Sequence, residues 1–174
     1  MHEPPHVLSI LLYIKTKEMK KVFLVAAILV TAFVQQSSAQ ESKKSASPEL
    51  ISSYYNLKDA LVKGNSGAAA LSATELSTAF SAGKEMIPEL MLASLVKDAD
   101  AIAKAKNIKV QREKLASLSV GMIELSKTIK LSADPVYEQY CPMQKASWLS
   151  SSKSIKNPYY GSAMLTCGSV RSTL

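Results

Sequence analysis

Histidine is nearly absent from this sequence of 174 residues, which contains only His2 and His6. Both precede a predicted leader peptide, so the mature protein is expected to contain none. This absence excludes Ser-His-Asp triads, Cys-His nucleophiles and histidine-ligated zinc. The chain also lacks a glycine-rich phosphate loop, a serine elbow motif and a C-x-x-C pair. We therefore predict a protein that is not an enzyme.

No hydrophobic run is long enough for a transmembrane helix, but one run fits a signal peptide. Residues 19–39 have a basic start, an apolar run over 22–34 and a small-residue cleavage site that ends at Ala39. We predict that residues 1–18 are an upstream mis-start. A single extended anchor is the alternative, but charged residues interrupt it. The mature protein is expected to be periplasmic or secreted, without a stable membrane anchor.

After a polar linker at residues 40–47, hydrophobic periodicity predicts four helices and a tail. The first begins at Pro48 and ends before Gly64, the second covers about 66–82, the third begins at Pro88 and ends near Asn107, and the fourth runs from Ile108 to about Ser132. Short connections favour an all-α, up-down antiparallel four-helix bundle. Residues 48–174 are expected to form one domain, with an irregular tail at 135–174 packed on the bundle as a cap.

The net charge of +7 is not concentrated in one block of sequence. Acidic and basic residues alternate along the predicted helices, which is typical of a solvated helical surface. We therefore expect no nucleic-acid partner.

The chemically distinctive residues lie in the tail, which holds both cysteines and the only tryptophan. One cluster contains Cys141 and Met143, and the other contains Met164 and Cys167. A helical turn would place Met164 and Cys167 on one face. If the tail folds back on itself, these four sulfur atoms form a soft-ligand site, for which Cu(I) is the best candidate. Thioethers are poor ligands for zinc, so two of them argue against a zinc site.

A disulfide between Cys141 and Cys167 is the alternative, because an oxidising envelope favours it. Closing a loop of this size would stabilise the fold by roughly 3–4 kcal/mol in the chain-entropy model. Met143 and Met164 would then be packing residues. Trp148 similarly has two interpretations, as an aromatic anchor of the tail or as a cation–π partner of a bound Cu(I) ion.

From Tyr54 to Leu174 the sequence resembles the domain of unknown function 3347, a family of bacterial envelope domains. The segments on which the resemblance rests are Tyr55-Asn56-Leu57-Lys58-Asp59-Ala60-Leu61-Val62, Gln111-Arg112-Glu113, Leu118-Ser119, Val136-Tyr137, Gln139-Tyr140-Cys141-Pro142-Met143, Trp148-Leu149-Ser150, and Ile155-Lys156-Asn157-Pro158-Tyr159-Tyr160-Gly161 through Met164-Leu165-Thr166-Cys167-Gly168. Such domains occur alone after signal peptides or fused to adaptors of copper and silver efflux pumps.

The resemblance implies periplasmic heavy-metal handling, with Cys141, Met143, Met164 and Cys167 matching the family's sulfur motif. A copper or silver efflux adaptor, or another envelope protein, is the implied partner. This chain departs from many relatives because Tyr140 stands beside the first cysteine, where a histidine is found elsewhere. We expect a Cu(I)-binding chaperone or buffer. The alternative is a disulfide-stapled, non-catalytic interaction module that binds no metal.

Overall fold

A computed structural model of the protein describes residues 48–174. The predicted mis-start at 1–18, the signal peptide at 19–39 and the linker at 40–47 lie outside the described residues. Within 48–174 the chain forms four α-helices: α1 (Pro48–Val62), α2 (Ser66–Ala82), α3 (Glu89–Lys104) and α4 (Ile108–Thr128). A short 3₁₀ turn, Lys84–Met86, joins α2 to α3. No helix in this part of the chain combines the length and apolarity needed to cross a bilayer.

The predicted helical bundle is confirmed, and helices that are consecutive in the chain pack on each other. The apolar positions that recur at helical spacing supply the core. Its fully buried large side chains from the helices are Leu50, Tyr54, Leu57, Leu61, Leu76, Phe80, Leu95, Ile102, Leu115, Leu118 and Met122.

The helix boundaries follow local capping chemistry. Asn65 accepts a hydrogen bond from the amide of Ala68 at 3.0 Å and so caps α2, as expected of an asparagine at this position. The last helix ends at Thr128, earlier than predicted. Ile129 adopts an extended conformation, and it is buried together with Leu131. Since alternate positions of an extended chain share one side, leaving the helix here keeps both residues in the core.

Two polar side chains of α4 join the ends of the other helices. Gln111 is fully buried, and its Nε2 donates to the carbonyls of Ala105 at 2.8 Å and Ser66 at 3.0 Å. Arg112 donates from Nη2 to the carbonyl of Leu61 at 2.8 Å, near the end of α1. These bonds tie α4 to the end of α1, to the start of α2 and to the residue that follows α3.

The all-α prediction is wrong for the tail, which contains an antiparallel sheet of three strands. These are β1 (Tyr137–Cys141), β2 (Ala146–Ser150) and β3 (Ser169–Thr173), in the order β2-β1-β3. A second short 3₁₀ turn, Gly161–Met164, precedes β3. Each strand is only five residues long, too short for periodicity to identify it against the stronger helical pattern.

Tyr54 connects the bundle to the sheet. Its fully buried hydroxyl shares a hydrogen bond of 2.7 Å with Ser119 Oγ and accepts another of 3.1 Å from the amide of Leu149. One tyrosine of α1 is therefore bonded to both α4 and β2. Burial is the main cause that raises the pKa of Tyr54 to about 12, so this hydroxyl is neutral at ordinary pH.

Candidate functional site

The two cysteines meet in the folded tail. Cys141 ends β1 and is fully buried, whereas Cys167 stands just before β3 and is partly exposed. Their Sγ atoms lie 3.7 Å apart although 26 positions separate the residues along the chain. Pairing of β1 with β3 brings the two segments together, because Tyr140 is opposite Ser169 in the register. The tail thus folds back on itself and brings the two thiols together.

The two thiols are not equivalent. Burial acts to raise the pKa of Cys141, but hydrogen bonds led by the amide of Gln144, at 3.4 Å from Sγ, outweigh it and lower the pKa. Burial and the neighbouring Cys141 raise the pKa of Cys167. The contact between the two sulfurs therefore acts on the two pKa values in opposite directions. Cys141 is therefore the thiol of the pair that ionises first.

Asn157 holds this arrangement from inside the tail. It is fully buried, and its Nδ2 donates to the carbonyl of Cys167 at 2.7 Å. The same side chain also forms a hydrogen bond that lowers the pKa of Cys141. Its Oδ1 accepts from the amides of Tyr159 at 2.8 Å and Tyr160 at 3.3 Å. A single amide side chain thereby fixes both cysteines relative to the loop.

Gly168 permits the close approach of the Cys167 segment to the sheet. Its φ is +146°, and a Cβ there would lie 2.8 Å from the carbonyl oxygen of Tyr140 and 2.9 Å from Cη2 of Trp148. Only glycine fits such a position without strain. The indole of Trp148 is therefore next to the residue that follows Cys167.

Trp148 is fully buried on β2, and its ring packs edge-on against Tyr159, with centroids 5.9 Å apart. This burial agrees with the aromatic-anchor interpretation. Its Nε1 has no hydrogen-bond partner among the described residues. The cation–π role toward a bound ion stays a prediction.

The two predicted thioether ligands border the thiols in sequence and differ in exposure. Met143 lies in the turn between β1 and β2, and its side chain is 63% exposed. Its backbone amide acts to lower the pKa of both cysteines, and at Cys167 the effects of burial and of Cys141 outweigh it. Met164 ends the second 3₁₀ turn and is half-buried, and its carbonyl accepts from the amide of Cys167 at 3.1 Å.

The donor set suits a soft ion better than a hard one. Residues 48–174 contain no cluster of three or more His, Cys, Asp or Glu side chains that could hold a metal. A site here would depend on two thiols and neighbouring thioethers, which are ligands that select Cu(I).

Sequence reasoning missed two contributors to this site. Asn157 initiates a turn by accepting from the amide of Tyr159 two residues on, which is all that its type and position indicate locally. Its bonds to both cysteines depend on tertiary contacts that no local pattern encodes. The amide of Gln144 was likewise missed, because any residue except proline supplies a backbone N–H.

Comparison with known proteins gives one match. The family described as "Protein of unknown function (DUF3347)" matches residues 50–134, which span the four helices. The tail with both cysteines lies beyond the matched residues. No curated protein matches the chain, and no solved structure does. The helical part of this chain is therefore similar to that family of unknown function.

Proposed function

We propose that this chain is a secreted, non-enzymatic protein that binds Cu(I) as cargo through Cys141 and Cys167, and acts as a periplasmic copper chaperone or buffer. The observation that carries the proposal is the 3.7 Å approach of the two thiols. The lowered pKa of Cys141 supports it, because a thiolate is the ligand form of cysteine.

The surroundings of the thiols favour a transferable cargo over a permanent structural ion. Cys141 is buried, but Cys167 is partly exposed, so one ligand is open to an incoming partner. Met143 supplies an exposed thioether in the adjoining turn, and we assign it, with Met164, to the outer part of the site. We infer a copper or silver efflux adaptor, or another envelope protein, as the partner that exchanges the ion.

The test is a titration of the reduced mature protein with Cu(I) against a competing chelator of known affinity. We expect one Cu(I) per chain, and at least a hundredfold weaker binding in the Cys141→Ser/Cys167→Ser double variant. Met143→Leu, which keeps the side chain's bulk and removes its sulfur, should weaken binding less than either cysteine variant. Binding by the double variant that equals wild type would overturn the proposal.

A disulfide-stapled interaction module is the second candidate, and the same approach of the cysteines favours it. A disulfide requires the sulfurs to close to about 2.05 Å, a small movement from their present separation. Intact mass of protein isolated from the periplasm, measured with and without reductant, separates the two functions. A disulfide that is present in all molecules and is not reduced by a thiol buffer supports the interaction module. Two free thiols support the metal site.

A further inference from the structure

A second concave site lies on the face of the sheet that is turned toward α4. This wedge cleft has a volume of about 640 Å³ and is bounded by α4 on one side and the three strands on the other. Clefts of this size hold small organic molecules. The cleft contains neither cysteine, so its occupancy is independent of the thiol site.

The helix wall of the wedge cleft is apolar. Ala116, Val120 and Ile123 recur at steps of four and three along α4, so they form one stripe. Ile123 also belongs to the buried core and Ala116 packs against it, so the stripe borders the core of the bundle. Val120 lies in its middle and is 59% exposed. An apolar side chain with that exposure inside a concave wall offers a contact surface for an apolar group.

The strand wall supplies two cations. The guanidinium of Arg171 on β3 stacks on the ring of Tyr140 at 3.4 Å from its centroid, which fixes the charge in place. Lys145 enters from the turn between β1 and β2 with a left-handed φ of 54°. Such a conformation is costly for a lysine and typical of functional positions. Neither cation forms an ion pair within residues 48–174.

The acidic residues of the cleft are already engaged. Glu138 accepts hydrogen bonds on both carboxylate oxygens, from Ser147 at 2.9 Å and from Ser172 at 3.0 Å. Glu124 pairs with Lys127 at 2.5 Å on α4. With Glu124 and Lys127 paired, Lys145 and Arg171 stand against the single negative charge of Glu138, which leaves the lining with a net positive charge.

We propose that the wedge cleft binds a small amphiphilic organic anion, with its apolar body on the Val120 stripe and its carboxylate or sulfonate near Lys145 and Arg171. The apolar wall and the unpaired cations occupy opposite sides of one cavity, which is the arrangement such a molecule requires. Neither the copper site nor the disulfide alternative involves these residues.

The probe is 8-anilinonaphthalene-1-sulfonate, an aromatic anion that fluoresces in apolar surroundings, titrated into the folded protein. We expect saturable binding, weakened at least tenfold by Val120→Glu. Val110→Glu is the matched control, because Val110 is also an exposed valine of α4, at 40%, but does not line the cleft. It should bind the probe like wild type.

The contribution of charge is measured with Lys145→Gln and Arg171→Gln, and with N-phenyl-1-naphthylamine, the same ring system without sulfonate. We expect each substitution to weaken binding of the anion several-fold and to leave binding of the neutral probe unchanged. Equal affinity for the two probes would overturn the anion assignment. Equal binding by the Val120→Glu and Val110→Glu variants, or no saturable binding, would overturn the site itself.

Discussion

Asn157 donates a 2.7 Å hydrogen bond to the carbonyl of Cys167 while it also bonds the sulfur of Cys141. One buried amide therefore connects the two cysteines, one through its backbone and the other through its side chain. The charge state of the thiol pair depends on this residue, although it is not itself a ligand.

Replacing Asn157 by alanine should raise the pKa of Cys141 and weaken Cu(I) binding about tenfold. The loss of bonds to buried groups should also destabilise the fold by about 1–3 kcal/mol. Thiolate absorbance in the ultraviolet, followed against pH, reports the first effect, and urea unfolding reports the second. Asn56→Ala on the exposed face of α1 is the control. A variant that loses stability but titrates like wild type would limit Asn157 to a structural role.

The reduced protein should release its two thiol protons in two separate steps. Because the pKa of Cys141 is lowered and that of Cys167 is raised, the first step falls below the ordinary thiol pKa and the second above it. Cys141, whose pKa is lowered in the folded state, stabilises the fold above its unfolded pKa. This contribution to stability is lost as the pH falls through the folded pKa. Thiolate absorbance measures both steps, and a single step at the ordinary pKa would contradict the asymmetric pair.

Tyr54→Phe should destabilise the protein by about 1–3 kcal/mol, because the amide of Leu149 and the hydroxyl of Ser119 lose their shared partner. Tyr55→Phe is the matched control, since that neighbouring hydroxyl forms no hydrogen bond recorded within residues 48–174. Thermal or urea unfolding compares the two. Equal stability of the variants would show that Tyr54 does not couple the bundle to the sheet.

The raised pKa of Tyr54 predicts that the free energy of unfolding depends on pH. Its pKa is raised to about 12, so the folded state favours the neutral hydroxyl. The resulting stability is present below the unfolded pKa near 10 and is lost as pH rises toward 12. Urea unfolding from pH 9 to 12 should therefore show a smaller decline for Tyr54→Phe than for wild type.

Gly168→Ala should destabilise the fold by about 1–3 kcal/mol and reduce Cu(I) affinity, because the new Cβ has no room beside Tyr140 and Trp148. Gly67→Ala is the control. Its Cβ would meet only Asn65 at an ordinary 3.6 Å, and alanine favours the helix. Unfolding and Cu(I) competition are measured for both. A neutral Gly168→Ala substitution would contradict the close packing of this segment.

The helices were predictable from the sequence because long amphipathic periods and strong end signals, such as Pro48 and Asn65, act locally. The strands were not, because each has five residues and pairing between β1 and β3 joins distant positions. The sequence singled out Cys141 and Cys167 but did not determine that they lie close together, because their proximity depends on the pairing of β1 with β3. The burial of Cys141, the exposure of Met143 and the bonds of Asn157 arise from tertiary packing and could not be predicted from spacing.

Copper X-ray absorption spectroscopy of the Cu(I)-loaded protein tests the central claim most directly, because it identifies the atoms bound to the ion. The account predicts sulfur as the only nearest neighbours in wild type, and a loss of this sulfur shell in the Cys141→Ser/Cys167→Ser variant. A nearest shell of nitrogen or oxygen, or an identical spectrum in the double variant, would contradict it.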